Sequence, residues 1–241
     1  MNKNVLSIAA DAKTVKGDKL GFLTGILYLA PHSISGFNTC PMAIKAGCDK
    51  ACLYTAGRGG FNNVQQARIN KTLRFFNDRD NFMNDIVYSI NTLIRKAKRE
   101  NKIPLIRLNG TSDIRWENIP VTIKGINYNN IMEAFPGIQF YDYTKIPNRK
   151  NLPVNYDLTF SYSGVESFKK YNAMASINKA LGRIAVVFDK VENIPNKFNG
   201  LKVLSGDNSD VRHIDPKHVI IALYAKGKAK KENNGFVVKT I

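Results

Sequence analysis

Ile103-Pro104-Leu105-Ile106-Arg107-Leu108-Asn109-Gly110-Thr111-Ser112-Asp113 decides how this chain is read. The apolar run Ile103 to Leu108 is strand-length and too short for a helix. It breaks at once into a polar, Gly-containing turn. The same sentence is written again along the chain. Thr24 to Leu29 ends before Pro31. Gly137 to Tyr141 runs into Asp142-Tyr143-Thr144-Lys145. Tyr156 to Phe160 runs into Ser161-Tyr162-Ser163-Gly164. Arg183 to Phe188, Leu201 to Leu204 (before Ser205-Gly206-Asp207) and Val219 to Leu223 follow. Helical segments are expected between several of these runs. One spans about Val64 to Phe76. The next carries Phe82, Ile86, Ile90, Leu93, Ile94 and Ala97, an apolar stripe at helical spacing. Two more are expected, around 127–134 and 165–181, the second stopped by Gly182.

Short apolar strands separated by helices predict an α/β fold with a parallel sheet covered on both faces. Six or so such units predict a partial (β/α)6-type barrel rather than a small flavodoxin-like sheet. In such folds the C-terminal ends of the strands carry the site. The polar turns quoted above all fall there. No repeat, linker or low-complexity tract divides residues 1–241, so a single domain is expected.

Composition bounds the partners. With 36 Lys and Arg against 19 Asp and Glu, the formal charge is +17. A field of that sign attracts polyanions, and nucleic acid or a nucleotide-like anion is the partner class it favours. No apolar run reaches the roughly 18–20 residues a spanning helix needs, so no membrane partner is expected. The N-terminal residues show no hydrophobic signal core, and a cytoplasmic location is expected.

All three cysteines lie in one short loop after the first strand: Cys40-Pro41-Met42-Ala43-Ile44-Lys45-Ala46-Gly47-Cys48-Asp49-Lys50-Ala51-Cys52. Thiolates are soft ligands that favour zinc or iron–sulfur clusters. Structural zinc takes four ligands, commonly with Cys-x2-Cys pairs. The chain has no such pair and no fourth cysteine. His32 is the candidate that completes a zinc site. Three cysteines suit a [4Fe-4S] cluster with one iron left open. Cys40, Cys48 and Cys52 are thus the expected metal ligands, with zinc as the alternative metal.

Around these residues the sequence resembles a known family. Phe37-Asn38-Thr39-Cys40, Gly47-Cys48 and Ala51-Cys52 through Gly57-Arg58-Gly59 resemble the phage gene 88 protein family. So do Arg107 to Asp113, Phe140 to Lys145 and Ala225-Lys226-Gly227-Lys228. A phage source would make the location the host cytoplasm. The layout is also similar to radical S-adenosylmethionine enzymes, where three cysteines after the first strand of a partial barrel hold the cluster. That resemblance implies S-adenosylmethionine as a further cofactor, bound by residues after later strands, with Asn109, Gly110, Thr111 and Asp113 in the place of its amino-group site. The spacing Cys-x7-Cys-x3-Cys departs from that superfamily's usual Cys-x3-Cys-x2-Cys, and its Gly-Gly-Glu type signature is absent.

Other polar residues complete the candidate site. Ser161 and Ser163 sit between a strand and a helix, where hydroxyls and backbone N–H groups hold anions or cap the helix. Lys145 offers a point charge to a phosphate or carboxylate. Arg58 is placed to balance a cluster's charge. Asp207, Asp210 and Arg212, in the last polar loop, face the cluster or pair with one another as surface ions. Two function classes follow: an enzyme of radical type, and a non-catalytic metal protein whose basic surface binds nucleic acid or a host protein.

Overall fold

Each apolar run read above is a strand, and most extend past the run by one to three residues. The computed structural model describes residues 4–8, 12–52, 54 and 56–240. In chain order the elements are β1 (Leu6–Ile8), α1 (Ala12–Asp18), β2 (Phe22–Leu27), α2 (Asn62–Asn77), α3 (Arg79–Arg99), β3 (Ile103–Arg107), β4 (Val121–Ile123), β5 (Ile126–Tyr128), α4 (Ile131–Ala134), β6 (Gln139–Thr144), β7 (Tyr156–Ser161), α5 (Lys169–Ile177), β8 (Leu181–Phe188), β9 (Lys197–Phe198), β10 (Leu201–Ser205) and β11 (Ile220–Tyr224).

Nine strands form one sheet in the order β1-β2-β3-β6-β7-β8-β11-β10-β9. All pairings from β2 to β10 are parallel; only the edges β1 and β9 pair antiparallel. The fold is therefore mixed α/β with a mostly parallel sheet. Strands β2, β3, β6, β7 and β8 stand side by side in chain order, without the reversal of a doubly wound sheet. Among the described residues the sheet is open, ending at β1 and β9, and does not close into a barrel.

Side chains alternate between the two faces of each strand. On one face the apolar stripe of α3 packs as its periodicity requires. Phe82, Ile86, Ile90 and Leu93 are fully buried against Ile106, Phe140, Leu158 and Phe160. Arg149, fully buried near this face, is held by Glu117 at 2.6 Å and faces Asp113 at 3.5 Å. The second face departs from the expected helix cover. Leu105 and Tyr141 pack there against Val211, and the short helix α1 approaches closely enough that a Cβ on Gly17 would lie 3.0 Å from Val211 Cγ2. The segment 209–215 is clamped to this face by ion pairs. Arg107 on β3 pairs with Asp210. Arg183 on β8 pairs with Asp157 at 2.5 Å and donates to the Asp215 and His213 carbonyls. Arg212 pairs with Asp215 at 3.0 Å.

Three element expectations are corrected. Residues 127–134 do not form one helix: Ile126–Tyr128 pairs with Val121–Ile123 as a small hairpin, and the helix is only Ile131–Ala134, capped by the Asn130 side chain. The helix expected over 165–181 is confined to Lys169–Ile177 after a 3-10 turn. Gly182 does not end it but lies inside β8, close under the Lys217 side chain. β6 continues through Thr144, so Asp142 belongs to the strand and not to the turn after it.

Candidate functional site

Residues 31–52 follow β2 and fold across the C-terminal ends of β3 and β6. Their path is set by hydrogen bonds to fixed elements. Ala30 N–H donates to Thr72 Oγ1 on α2, and Thr39 Oγ1 donates to Ala30 O. Asp113 N–H donates to Thr39 O, joining the turn after β3 to the cysteine loop. Ser163 Oγ donates to Ala46 O and Asn234 Nδ2 to Gly47 O. Gly47 is required at its position. Its φ is +64°, and a Cβ there would lie 2.7 Å from Asn234 and 2.9 Å from Val165. The turn it makes delivers Cys48.

Three thiols gather at this end of the sheet. Burial pushes the Cys40 thiol up to about 12 and Cys52 up to about 11, and raises Cys48 as well. The thiols also act on one another: Cys52 raises Cys40, and Cys48 raises Cys52. A main-chain amide works against burial at each sulfur: that of His32 at Cys40, Cys48's own, and that of Tyr54, which donates to Cys52 Sγ at 3.5 Å. Cys40 Sγ lies 3.7 Å from Thr111 O.

Two cations face the thiols. Lys145 Nζ donates to Ser161 O at 3.0 Å, Ser161 Oγ at 3.2 Å and Tyr162 O at 3.3 Å, and lies over the rings of Phe168 and Phe236. Burial lowers its pKa, while Cys48, Asp113 and Cys40 pull it back up. Arg68 on α2 is the second cation. Its guanidinium lies 4.9 Å from the Tyr28 ring centre and 5.5 Å from that of Tyr54, and its field favours the Cys52 thiolate. Lys71, three residues on, is brought down to about 8 by burial and by Arg68.

The expected site residues divide. Thr111, Asp113 and Lys145 meet the cysteine loop, Ser163 holds it through Ala46 O, and Ser161 reaches it only by accepting from Lys145. Burial raises the Asp113 carboxyl; Arg149 and the Lys145 N–H, which donates to it at 2.8 Å, oppose that rise. Asn109 and Gly110 are spent on the fold. Asn109 Oδ1 accepts from Ser112, Ile114 and Trp116, while its Nδ2 donates to Ile114 O. Gly110 lets the turn press on β2, since a Cβ would meet Ile26 and Tyr28 at 2.7 Å. Arg58 is exposed on a 3-10 turn, and Arg68 rather than Arg58 stands by Cys52. Asp207 O accepts from Lys16, and Arg212 turns to the second face against Ser209 O and Asp215. Sequence reading missed Arg68 and Lys71.

The donor set fits a thiolate-bound group in kind. Three soft donors each meet a main-chain N–H, and Cys48 and Cys52 each meet a cation. For a single ion the geometry is less apt. Among the described residues no group of three or more His, Cys, Asp or Glu side chains is arranged to hold one. His32, the proposed fourth zinc ligand, has φ +48° and a buried Nδ1 without a hydrogen-bond partner. No helix among the described residues is long and apolar enough to cross a membrane. No curated protein and no solved structure matches this chain. The family model of gene product 88 matches residues 4–240, and the chain belongs to that phage family.

Proposed function

We propose that this chain binds an iron–sulfur cluster through Cys40, Cys48 and Cys52, at the C-terminal ends of a partial-barrel sheet, with one iron left open. The observation that supports it is the gathering of all three thiols around Lys145 and Arg68, with a main-chain N–H opposing burial at every sulfur. Hydrogen bonds to the sulfurs and nearby cations stabilise thiolate ligands and set the potential of what they hold. Metal binding requires the thiolate, so the raised thiols release protons as the site fills. When bound, such a cluster supplies one-electron transfer and an iron open to a Lewis base. The chain's own groups then position a ligand. Thr111 O and Asp113 stand beside the thiols, and Lys145, anchored on Ser161, directs its head group towards Cys48 and Cys40. S-adenosylmethionine is the ligand that the cysteine loop's place after β2, and the strands in chain order, suggest.

Anaerobic reconstitution with iron and sulfide tests this. The expected result is a brown protein with about four iron per chain, losing colour in Cys40→Ala, Cys48→Ala and Cys52→Ala. A colourless protein holding one zinc overturns it. S-adenosylmethionine added to the reduced protein is expected to shift its electron paramagnetic resonance signal; an unshifted signal removes that ligand and leaves the cluster.

The +17 charge supports a second reading, a metal protein whose surface binds nucleic acid. It requires binding to DNA or RNA at low salt that falls steeply as salt rises. No binding at low salt removes it.

A further inference from the structure

Arg68 and Lys71 differ from the protein's deeply buried arginines in having no counter-charge among the described residues. They stand three residues apart on α2, on neighbouring turns of one face. Both side chains are half-buried. Neither head group makes an ion pair or a hydrogen bond among the described residues. Arg68 Nη1 is fully out of solvent and has no acceptor. Its electrostatic neighbours are Tyr28, Tyr54 and Cys52, and that of Lys71 is Arg68 alone. Burying a cation without a partner is costly, and two adjacent cations raise that cost. The surroundings nevertheless hold Arg68 in place. The Tyr28 and Tyr54 rings flank the guanidinium, which contributes some cation–π attraction but occupies none of its N–H groups. Gly59 lets the loop close down on it: a Cβ there would lie 3.2 Å from Arg68 Nη1 and 2.6 Å from Tyr54 O.

A fixed guanidinium fork beside a second point charge is the arrangement that receives an oxyanion, the fork by paired hydrogen bonds and the ammonium by charge. We infer that Arg68 and Lys71 seat the phosphate or carboxylate group of a small ligand next to Cys52. Their half-buried setting suits a single group on a small molecule better than a polymer backbone. An anion held there is presented at Cys52, and among the described residues no carboxylate competes with it for these two cations. The seat stands on its own geometry and does not need the cluster.

Equilibrium dialysis of the full chain against radiolabelled inorganic phosphate tests it, in chloride at about 0.15 M to screen the general surface charge. One phosphate per chain is expected, in the millimolar range. Lys71→Gln and Arg68→Gln are each expected to weaken it about tenfold or more, the loss of a charge-assisted hydrogen bond. Lys228→Gln, an exposed control, leaves it unchanged. Arg68→Lys, which keeps the charge and loses the fork, retains part of the binding if Arg68→Gln fails to fold. Malonate is expected to compete; if it does not, the carboxylate half of the inference falls. Absence of saturable binding by folded native protein overturns the seat, as does binding by folded Lys71→Gln equal to native. The readout is independent of colour, so a colourless protein that binds phosphate overturns the cluster and leaves the seat standing.

Discussion

The interior and the cysteine end of this molecule treat positive charge in opposite ways. Arg107, Arg149, Arg183 and Arg212 are all at least nine-tenths buried, and each is paired with a carboxylate: Asp210, Glu117, Asp157 and Asp215 respectively. Arg68, Lys71 and Lys145 stand at the C-terminal ends of the strands, and none makes an ion pair among the described residues. The first group is satisfied by the protein itself and fixes how segments meet: 209–215 on the second face, and the turn after β3 on the first. The second group faces thiols and is satisfied only in part. A fold that pairs its deep arginines so consistently, yet leaves cations unpaired at one end, reserves that end for something it does not itself supply.

The comparison breaks first at Arg149. Arg149→Met leaves Glu117 and Asp113 buried without their cation, and removing one partner of a buried pair costs about 3–5 kcal/mol. A large fall in the urea midpoint is expected, with partial recovery in the double variant Arg149→Met/Glu117→Met. A single variant that unfolds at the native midpoint would show that the pair carries no stability, and the contrast would lose its structural side.

Lys145→Met is a smaller change with a different readout. The ammonium donates to three acceptors at the end of β7, so about 1–2 kcal/mol of stability is expected to go. The chemistry moves as well. Lys145 favours the Cys48 thiolate, so its removal raises that thiol further. In metal-free protein at pH 8, alkylation of Cys48 by iodoacetamide is expected to slow, while Cys52, which is served by Arg68, keeps its rate. Equal slowing of both, measured by mass spectrometry of the adducts, would mean that Lys145 acts through general loosening of the loop.

What the sequence makes legible follows from how each feature is encoded. β7 alternates Tyr156, Leu158 and Phe160 with polar residues, and that period makes it legible almost to its ends. The edges β1 and β9 and the hairpin β4–β5 are two or three residues long, below the length at which alternation signals a strand. The α3 face was legible because period and burial agree at five positions. The cysteine set is legible because all three cysteines lie in one loop. Arg68 and Lys71 were not, because Arg68, Lys71 and Arg74 look alike on a polar helix. Which of them turns inward depends on where Tyr28 and Tyr54 arrive from elsewhere in the chain. Arg107 did carry a signal, a charge inside an apolar strand that must find a partner when buried. That partner, Asp210, lies a hundred residues away in a loop without pattern. The same limit explains the turn after β3. Asn109 and Asp113 look equivalent in sequence, yet Asn109 closes its own turn while Asp113 reaches the cysteine loop.

The smallest expected effect has the opposite sign and sharpens the contrast most. Lys71→Met removes a cation that nothing pairs among the described residues, so the folded protein should gain stability where a deep arginine would lose it. The pH dependence fixes the cause. Burial and Arg68 bring Lys71 down to about 8 in the folded chain, from an ordinary value of 10.5. Below pH 8 both folded and unfolded chains carry the proton, and the folded one bears the whole cost of the buried charge. Between about 8 and 10.5 the folded chain sheds its proton first, so native stability rises relative to the variant. Above that window both are neutral and the cost is gone. Lys71→Met is therefore expected to melt about 2–4 °C above native at pH 7, with the difference shrinking steadily as pH is raised towards 10. Phosphate should close the gap from the other side at pH 7, by raising the native Tm and leaving that of the variant in place. A variant that melts below native at pH 7 would mean that Lys71 is already paired in the protein, and the reserved charge at the cysteine end would then be Arg68 and Lys145 alone.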